Sequence, residues 1–319
     1  MLAPGDATAI AEAFGLGGDA ALTGPVAAGK VGRVWRLSTA SGTYAVKDPF
    51  FEVSADEAEA DAAYQGVVRA SGVPMPAVVR TPSGEVLATV RDQAVRVYEF
   101  VDVLPGTRRL DPETVGAMVA RIHQVVVATD QPVDPWHTDP LGPATWRGLV
   151  EQLRGAQAPF ADRLELLVPE ILAVEALLAP PSSAQLSHCD LWSDNVLPTP
   201  DGGLVVLDWE NAGAASPSQE LAMVVYEYGC GEPARIAAVY DAYVAAGGPG
   251  RLETPGDLTM LIATLGHIAQ EGCRRWLAAT TEEDRADNAA WVAEFLDDPV
   301  TLATVEGLLA AVRPSQPLP

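Results

Sequence analysis

The sequence predicts an α+β protein with two lobes, a small β-rich lobe over residues 1–101 and a larger, mostly helical lobe over residues 102–319. Three observations lead to this prediction. Strand-like runs dominate up to about residue 100, helical periodicity dominates beyond residue 110, and one short hairpin pattern, VLPTPDGGLVVLDW, interrupts the helices. A chain of 319 residues is long enough to give each lobe its own core.

The first lobe is predicted to begin with a short helix at residues 7–15 and then to turn to strands. VGRVWRL and TYAVKD are joined by SG and have the composition of strands, and AVVRT, EVLATV and AVRVYEF add further strand-like runs. In TYAVKD, alternation with a period of two places Ala45 and Lys47 on one face of the strand and Tyr44 and Val46 on the other.

Residues 54–71 interrupt these strands and are predicted to form a helix. Ser54 and Glu57 have the spacing of a capping box, and the proline-rich GVPMP ends the pattern. The segment VDVLPG that follows the last strand is expected to connect the lobes. Asp111, followed by Pro and Glu, then begins the first of the later helices, and the tail RPSQPLP is expected to fray.

Composition and charge exclude several classes of partner. The formal charge of −23 argues against nucleic acids and anionic membranes, because proteins hold such partners mainly through Lys and Arg. The same charge is compatible with a cationic small substrate, and equally with a general preference for acidic residues that favours solubility. No apolar run approaches the roughly 18 residues of a membrane span, and the N-terminus has no signal-peptide pattern. Three cysteines without a C-x-x-C pair predict neither disulfides nor zinc, and a reducing cytoplasm is expected.

The stretch GPVAAGKV, Gly24 to Val31, comes within one residue of the phosphate-binding pattern G-x-x-x-x-G-K-[ST]. Val31 has no hydroxyl for magnesium, and the stretch precedes a strand, whereas a P-loop opens a helix. We therefore interpret the match as chance and expect Gly29 and Gly32 to shape a hairpin whose backbone approaches phosphates. A true P-loop would instead make Lys30 the phosphate-binding lysine.

The segment LSHCDLWSDNVL, followed by LVVLDWE, contains the strongest chemical pattern. Asp190 and Asn195 are five residues apart, and Asp208 ends a strand-like run eighteen residues beyond Asp190. Phosphoryl transfer needs a carboxylate that orients the accepting hydroxyl and oxygen ligands that hold magnesium on a triphosphate, and these side chains can supply both. Lys47 in YAVKD fits the strand lysine that contacts nucleotide phosphates.

A lysine on the buried side of a lobe needs a carboxylate partner, which helix 54–71 can provide. Glu57 and Glu59 are the two choices. Because the capping box already explains Glu57, Glu59 is the predicted partner of Lys47.

The sequence resembles the aminoglycoside phosphotransferase and choline kinase-like family, relatives of the protein kinases. The features that carry the resemblance are Lys47, the acidic helix, His188-Cys-Asp190 with Asn195, and Asp208. The resemblance extends over residues from about 20 to 230 and implies a protein-kinase-like fold that uses ATP, or GTP, with Mg²⁺. The resemblance implies that Asp190 is the general base and that Asn195 and Asp208 bind magnesium. It also implies that Lys47 binds the nucleotide phosphates and that the backbone of Glu99 and Val101 binds adenine.

The sequence departs from the family pattern at two places. Cys189 replaces the usual glycine between His188 and the base, and Trp209-Glu210 follows Asp208 where protein kinases have Phe-Gly. The absence of an A-P-E segment from the sequence argues against a protein kinase. His188 and His123 are interpreted as structural residues.

The expected function is ATP- and Mg²⁺-dependent phosphoryl transfer to a hydroxyl of a small cationic molecule, such as an aminoglycoside or amino sugar. A metabolic kinase for fructosamine, choline or an amino alcohol is the alternative, and a pseudokinase that only binds nucleotide is a further one. No protein partner follows from the sequence. The side chains that could recognise such a substrate are Asp194, Glu210, Glu227, Glu271, Trp192 and Trp276.

Overall fold

The structure is a computed structural model that describes residues 2–29 and 32–313. Lys30 and Val31, the last two residues of the near P-loop match, lie outside the described residues, as does the predicted frayed tail beyond residue 313. The chain divides into two compact units, Met1–Thr107 with Ser193–Ala212, and Arg108–Trp192 with Gly213–Pro319. The hairpin segment thus joins the first unit, while the predicted lobe boundary at residue 101 stays a prediction.

Within the described residues, the first unit contains a six-stranded antiparallel sheet with the order β1-β2-β3-β6-β4, and β5 also pairs with β6. Its strands are β1 (Ala21–Ala28), β2 (Gly32–Thr39), β3 (Gly42–Pro49), β4 (Val78–Val79), β5 (Leu87–Val90) and β6 (Gln93–Glu99). β1 and β2 pair antiparallel, as expected of a hairpin, and Gly29 N donates to Gly32 O at 3.0 Å. A Cβ on Gly32 would lie 2.9 Å from Asp48 O, because β2 packs closely on β3 there.

The sheet buries one face against the N-terminal helix α1 (Ala7–Ala13). Ile10 and Phe14 pack with Leu37, Val46 and Val97 into one apolar core. Because alternate residues of a strand point to opposite faces, burial of Val46 in this core turns its neighbour Lys47 to the other face.

That other face carries α2 (Ala55–Ala70) and a hairpin of β8 (Val196–Pro198) and β9 (Leu204–Val206). Ser54 caps α2, as predicted, by accepting from Glu57 N. A 3₁₀ turn, Trp209–Asn211, follows β9, and the ring of Trp209 packs edge-on against Tyr64 of α2 at 5.9 Å. The segment before β4 also holds the hairpin, because Val206 N donates to Pro74 O.

The second unit is built from helices. They are α3 (Pro112–Gln124), α4 (Pro135–Thr138), α5 (Gly142–Gly155), α6 (Ala161–Glu175), α7 (Pro217–Gly229), α8 (Pro233–Ala245), α9 (Thr259–Ala278), α10 (Glu282–Asp297) and α11 (Leu302–Val312). Two further 3₁₀ turns are Pro4–Asp6, which belongs to the first unit, and Pro255–Leu258. The apolar stripes of α5, α6, α9 and α10 pack around the buried Trp146, Leu164 and Cys273.

A short two-stranded ribbon in the second unit positions the loop of Asp190. β7 (Gln185–Ser187) pairs with β10 (Gly213–Ala215), and Leu186 N also donates to Val127 O, just beyond α3. Asp111 begins α3 as predicted, with its carboxylate accepting from Thr114 N at 2.9 Å.

The predicted α+β fold class, with a β-rich first part and a helical later part, is confirmed. The sequence interpretation missed three strands, β1, β7 and β10. β1 lacks a period-two pattern, and β7 and β10 are three residues each, too short for periodicity to show. None of the described helices is both long and apolar enough to cross a membrane.

Candidate active site

Lys47 lies at the centre of a charged network on the α2 side of the sheet. Register places it directly opposite Arg96 on β6, so two cations face each other across a strand pair. Such a pair is unfavourable unless anions compensate for it. Lys47 Nζ donates to Asp208 Oδ1 at 2.7 Å and to Glu210 Oε2 at 2.6 Å, while Arg96 donates to Asp61 of α2 at 3.1 Å. Three carboxylates therefore balance the two bases.

Local backbone geometry brings Asp208 and Glu210 to the lysine. Asp208 has the left-handed conformation, φ 60° and ψ 58°, which is uncommon for a residue with a side chain and is a conformation often found at functional sites. Trp209 between them is buried, donates through its indole nitrogen to Val206 O, and fixes the turn. The two acids that flank Trp209 can then both contact the ammonium.

Glu210 has further partners that hold it in place. Tyr98 donates its hydroxyl to Glu210 Oε1 at 2.8 Å, and Arg96 lies 3.8 Å from the same oxygen. Tyr98 and Arg96 share one face of β6 and are both buried, so the carboxylate of Glu210 is fixed from the sheet side as well.

These contacts separate the protonation behaviour of the two acids. Burial would raise the pKa of Glu210, but the ammonium of Lys47 and the hydrogen bonds that the carboxylate of Glu210 accepts lower this pKa. Burial and then the neighbouring Glu210 raise the pKa of Asp208 to about 7. Burial would lower the pKa of Lys47, yet Glu210 and Asp208 together raise it, so the lysine remains charged.

Glu59 is not the acid that contacts Lys47, and this prediction was wrong. The carboxylate of Glu59 accepts from Arg80 at 2.7 Å and from Val86 N at 2.9 Å, on the exposed edge of α2. Glu210 takes the predicted place, although the sequence interpretation had assigned it to substrate recognition. The reason is that helical spacing turns Asp61, not Glu59, toward the sheet, where it meets Arg96.

Asn195 and Asp208 stand at the same end of the β8–β9 hairpin. Val196 pairs with Val206, and Leu207 N donates to Asn195 O at 2.8 Å, so Asp208 directly follows the residue bonded to Asn195. The structure thus brings Lys47, Asp208 and the Asn195 end of the hairpin together within the first unit.

The connector after β6 is fixed to the same hairpin. Leu104 N donates to Pro198 O, and a Cβ on Gly106 would lie 2.3 Å from Ser193 O, so only glycine fits there. An open cavity of about 500 Å³ lies between the connector and the hairpin segment, and Asp194 is exposed at its wall. Asp194 therefore lies beside the connector, and its predicted substrate role stays a prediction.

Glu99 and Val101 lie at the end of β6 and the start of the connector. Glu99 N donates to Ala77 O, and its carboxylate pairs with Arg69 on the exposed surface. A Cβ on Gly29 would meet no described atom within 4 Å. The predicted adenine and phosphate contacts of these residues stay predictions.

Asp190 belongs to the second unit, where it follows β7 and is half-buried. Cys189 before it has φ 65°, in the left-handed region that glycine prefers, which explains why its place is usually taken by glycine in the family that the sequence resembles. Burial of Cys189 raises the pKa of its thiol and keeps it neutral.

A buried carboxylate fixes this loop. Glu220 of α7 accepts from Cys189 N and, at 2.7 Å, contacts the imidazole of His123, whose other nitrogen meets Tyr243 Oη at 2.8 Å. Glu220, His123 and Tyr243 are fully buried. His123 is thus a core histidine with partners on both nitrogens, as predicted, and Glu220 holds the backbone beside Asp190.

Two of the predicted substrate side chains are buried elsewhere in the second unit. Glu227 is 7% exposed and pairs with Arg108 at 3.0 Å. Trp276 is also 7% exposed, packs against Phe160 in the core, and has the guanidinium of Arg285 over its ring. The prediction that Glu227 and Trp276 recognise the substrate was therefore wrong, because neither side chain presents a surface to a ligand.

The predicted substrate roles of Glu271 and Trp192 stay predictions. Glu271 is part-exposed on α9 and pairs with Arg275 one turn along at 2.7 Å, and Trp192 is half-buried. Arg96, Tyr98 and Glu220 were missed, although each is a polar residue within an otherwise apolar element, a pattern that indicates a specific buried partner.

The first unit offers oxygen ligands of the kind that magnesium prefers. Asp208 and Glu210 supply carboxylates, and Asn195 can supply an amide oxygen. Across the described residues, no three His, Cys, Asp or Glu side chains converge into a complete metal cage. Magnesium prefers hard oxygen ligands and usually keeps waters and substrate phosphate oxygens, so carboxylate and amide oxygens of this kind fit such an ion.

Comparison with known proteins places the chain in a family. No curated protein matches it. Residues 24–256 match the model of the phosphotransferase enzyme family, APH. Among solved structures, spectinomycin phosphotransferase in complex with ADP and spectinomycin has a TM-score of 0.63 at 16% identity over 92% of each chain.

Two further structures show the same fold. The aminoglycoside phosphotransferase from Alicyclobacillus acidocaldarius has a TM-score of 0.60 at 20% identity and covers 90% of this chain and 91% of its own. A microcompartment-associated aminopropanol kinase has a TM-score of 0.55 at 16% identity, covering 96% and 98%. The predicted enzyme class, a small-molecule phosphotransferase, is confirmed, and the chain belongs to the phosphotransferase enzyme family.

Proposed function

We propose that the protein is an ATP- and Mg²⁺-dependent O-phosphotransferase that acts on a hydroxyl of a small, amine-bearing molecule. The observation that carries this proposal is the contact of Lys47 with both Asp208 and Glu210. A charged lysine held between two acids at the end of a hairpin is suited to a triphosphate and its metal ion, because it supplies positive charge beside hard oxygen ligands.

In this proposal the first unit holds the phosphate donor. Asn195, Asp208 and Glu210 would bind Mg²⁺, Lys47 would contact the phosphates, and the connector backbone at Glu99 and Val101 would face the base. Bound Mg²⁺ would neutralise charge on the phosphate oxygens and so favour attack at phosphorus. Lys47 then exchanges part of its contact with the two acids for phosphate oxygens.

Asp190 carries the acceptor step. Its carboxylate would accept the hydroxyl proton while the acceptor oxygen bonds to phosphorus and the bond to the ADP leaving group breaks. Glu220 supports this role, because it holds the backbone of Cys189 and thereby limits the positions that Asp190 can adopt. The same residues would hold GTP if GTP were the donor.

The amine on the acceptor is inferred from charge and from the relatives. The chain has a formal charge of −23, which favours cationic ligands. The structural relatives include a kinase whose substrate, aminopropanol, is an amino alcohol by name, beside two antibiotic phosphotransferases. An aminoglycoside or amino-sugar acceptor is the first expectation, and a metabolic amino alcohol is the second.

The test is a screen for phosphorylated product. Protein, ATP and Mg²⁺ are incubated with aminoglycosides, amino sugars, choline-like alcohols and glycated amines, and product is detected by mass spectrometry. Transfer to at least one hydroxyl compound is expected. Binding of ATP and Mg²⁺ without product across the panel would instead favour a nucleotide-binding protein without transferase activity.

Location and partners remain predictions. The expected location is a reducing cytoplasm, and the structure describes Cys189, Cys230 and Cys273 as free thiols. The strongly negative charge continues to argue against nucleic acids and anionic membranes as partners.

A further inference from the structure

A large aromatic side chain of the second unit is left on the surface in a fixed position. Trp136 of α4 is 37% exposed and stacks on His267 of α9, with ring centroids 5.0 Å apart and planes at 21°. Its backbone nitrogen donates to Asp134 Oδ1 at 2.8 Å, where Asp134 caps the short helix. The stack covers one face of the indole, and Asp134, which caps α4 two residues before Trp136, is itself exposed.

Both elements under this stack are held in place. His137 Nδ1 contacts Thr264 Oγ1 at 2.9 Å, and His267 Nε2 contacts Asp139 O at 3.1 Å. Thr264, His267 and Glu271 follow one another at helical spacings, so they lie along one stripe of α9. We call Trp136, His267, Asp134 and Glu271 the Trp136 platform.

The platform belongs to the same unit as the loop of Asp190. The chain entering α4 starts beside β7, since Leu186 N donates to Val127 O. Burial and then Glu220 raise the pKa of the Cys189 thiol, and Asp134 adds to this rise, which places its carboxylate within electrostatic reach of that loop. Burial lowers the pKa of His137, and the charges of Asp134 and Glu220 oppose this shift.

We infer that the Trp136 platform binds the ammonium group of the acceptor, with the cation over the indole and paired to Asp134. An indole face attracts a cation through its quadrupole, and a neighbouring carboxylate adds a direct charge interaction. Because the platform and Asp190 belong to the same unit, one small molecule would engage the platform with its amine and the base with its hydroxyl. The inference rests on the proposed function for the fate of that hydroxyl, whereas binding of the amine can be measured without transfer.

The test is calorimetric titration of the full chain with ethanolamine, aminopropanol, spectinomycin and glucosamine, and with glucose as the neutral counterpart of glucosamine. Trp136→Ala is expected to weaken amine binding by roughly threefold to tenfold, because a part-exposed cation–π contact lies between the exposed and the desolvated cases. Trp136→Phe keeps an aromatic face and should retain most of the affinity. Leu166→Ala, which removes an 81% exposed side chain on α6, is the matched control and should bind as the wild type does.

Equal amine affinity in wild type and Trp136→Ala overturns the inference. So does glucose binding as tightly as glucosamine, or no amine binding to the wild type at all. Product assays separate the two proposals. Amine binding that depends on Trp136 without any product contradicts the proposed function alone, whereas product formation with an unchanged KM for the amine in Trp136→Ala contradicts the platform alone.

Discussion

Lys47 Nζ lies 2.7 Å from Asp208 Oδ1, although 161 residues separate the two in the chain. The sheet of the first unit positions Lys47. The β8–β9 hairpin, which belongs to the same unit, positions Asp208. Glu210 completes the group at 2.6 Å. This arrangement makes the roles of individual acids and lysines testable.

Lys47→Ala should lower kcat/KM for ATP by about a hundredfold or more, because a fixed charge at the phosphates is lost. Lys30→Ala is the matched control, and it should leave kcat/KM for ATP close to the wild-type value. Steady-state kinetics with varied ATP distinguishes them. A larger effect at Lys30 than at Lys47 would instead support a P-loop at residues 24–31.

Glu210→Gln should reduce kcat/KM for ATP at least about tenfold, since hydrogen bonds between charged groups contribute about 1.5–3 kcal/mol. Glu59→Gln serves as its control, because Glu59 contacts Arg80 at the exposed edge of α2, and its activity should not change. The same kinetic assay decides between the two. If Glu59→Gln were the more damaging variant, the acid on α2 would be the functional partner of Lys47 during turnover.

Glu220→Ala should destabilise the protein by about 3–5 kcal/mol, because it leaves His123 and Cys189 N buried without their acceptor. Glu165→Ala removes an exposed partner of Arg154 and should leave the free energy of unfolding nearly unchanged. Urea unfolding monitored by circular dichroism measures both. Equal stability of the two variants would show that Glu220 does not anchor the loop.

As the pH rises from about 4 to about 6, the titration of Asp61 should lower the free energy of unfolding of the protein. Burial raises the pKa of Asp61 from 3.8 to about 6, although Arg96 opposes the shift. A carboxyl with a raised folded-state pKa stabilises the fold most while it is protonated, below about pH 4, and this contribution is lost as pH rises through about 6.

Asp61→Asn removes this titration, so its free energy of unfolding should fall less than that of the wild type over the same range. Thermal unfolding at closely spaced pH values provides the comparison. A wild-type profile with the same slope as the variant contradicts the assignment.

Much of the fold and of the site follows from local patterns. The capped starts of α2 and α3, the Lys47 strand and the hairpin that ends at Asp208 are all signalled by neighbouring residues, so they could be predicted. Phosphoryl transfer was indicated by the whole set in order, namely Lys47, the acidic helix, Asp190 with Asn195, and Asp208, because the spacing from Asp190 to Asn195 alone is common by chance.

What could not be predicted depends on contacts distant in sequence. The choice of Glu210 over Glu59 depends on which side of α2 faces the sheet and on the left-handed backbone at Asp208. Burial of Glu227 and Trp276 depends on how α7 and α9 pack, which helical periodicity alone does not fix. The pairing of β7 with β10 joins strands whose central residues, Leu186 and Ala214, lie 28 positions apart, and each strand is too short to leave a pattern.

The central claim is that the carboxylate of Asp190 accepts the proton of the attacking hydroxyl. The most direct measurement compares wild type and Asp190→Asn for phosphorylated product formed from ATP and the best acceptor of the screen, with ATP affinity determined in parallel. We predict a loss of at least about a hundredfold in turnover with unchanged ATP affinity. Product formation by Asp190→Asn at the wild-type rate would contradict the claim.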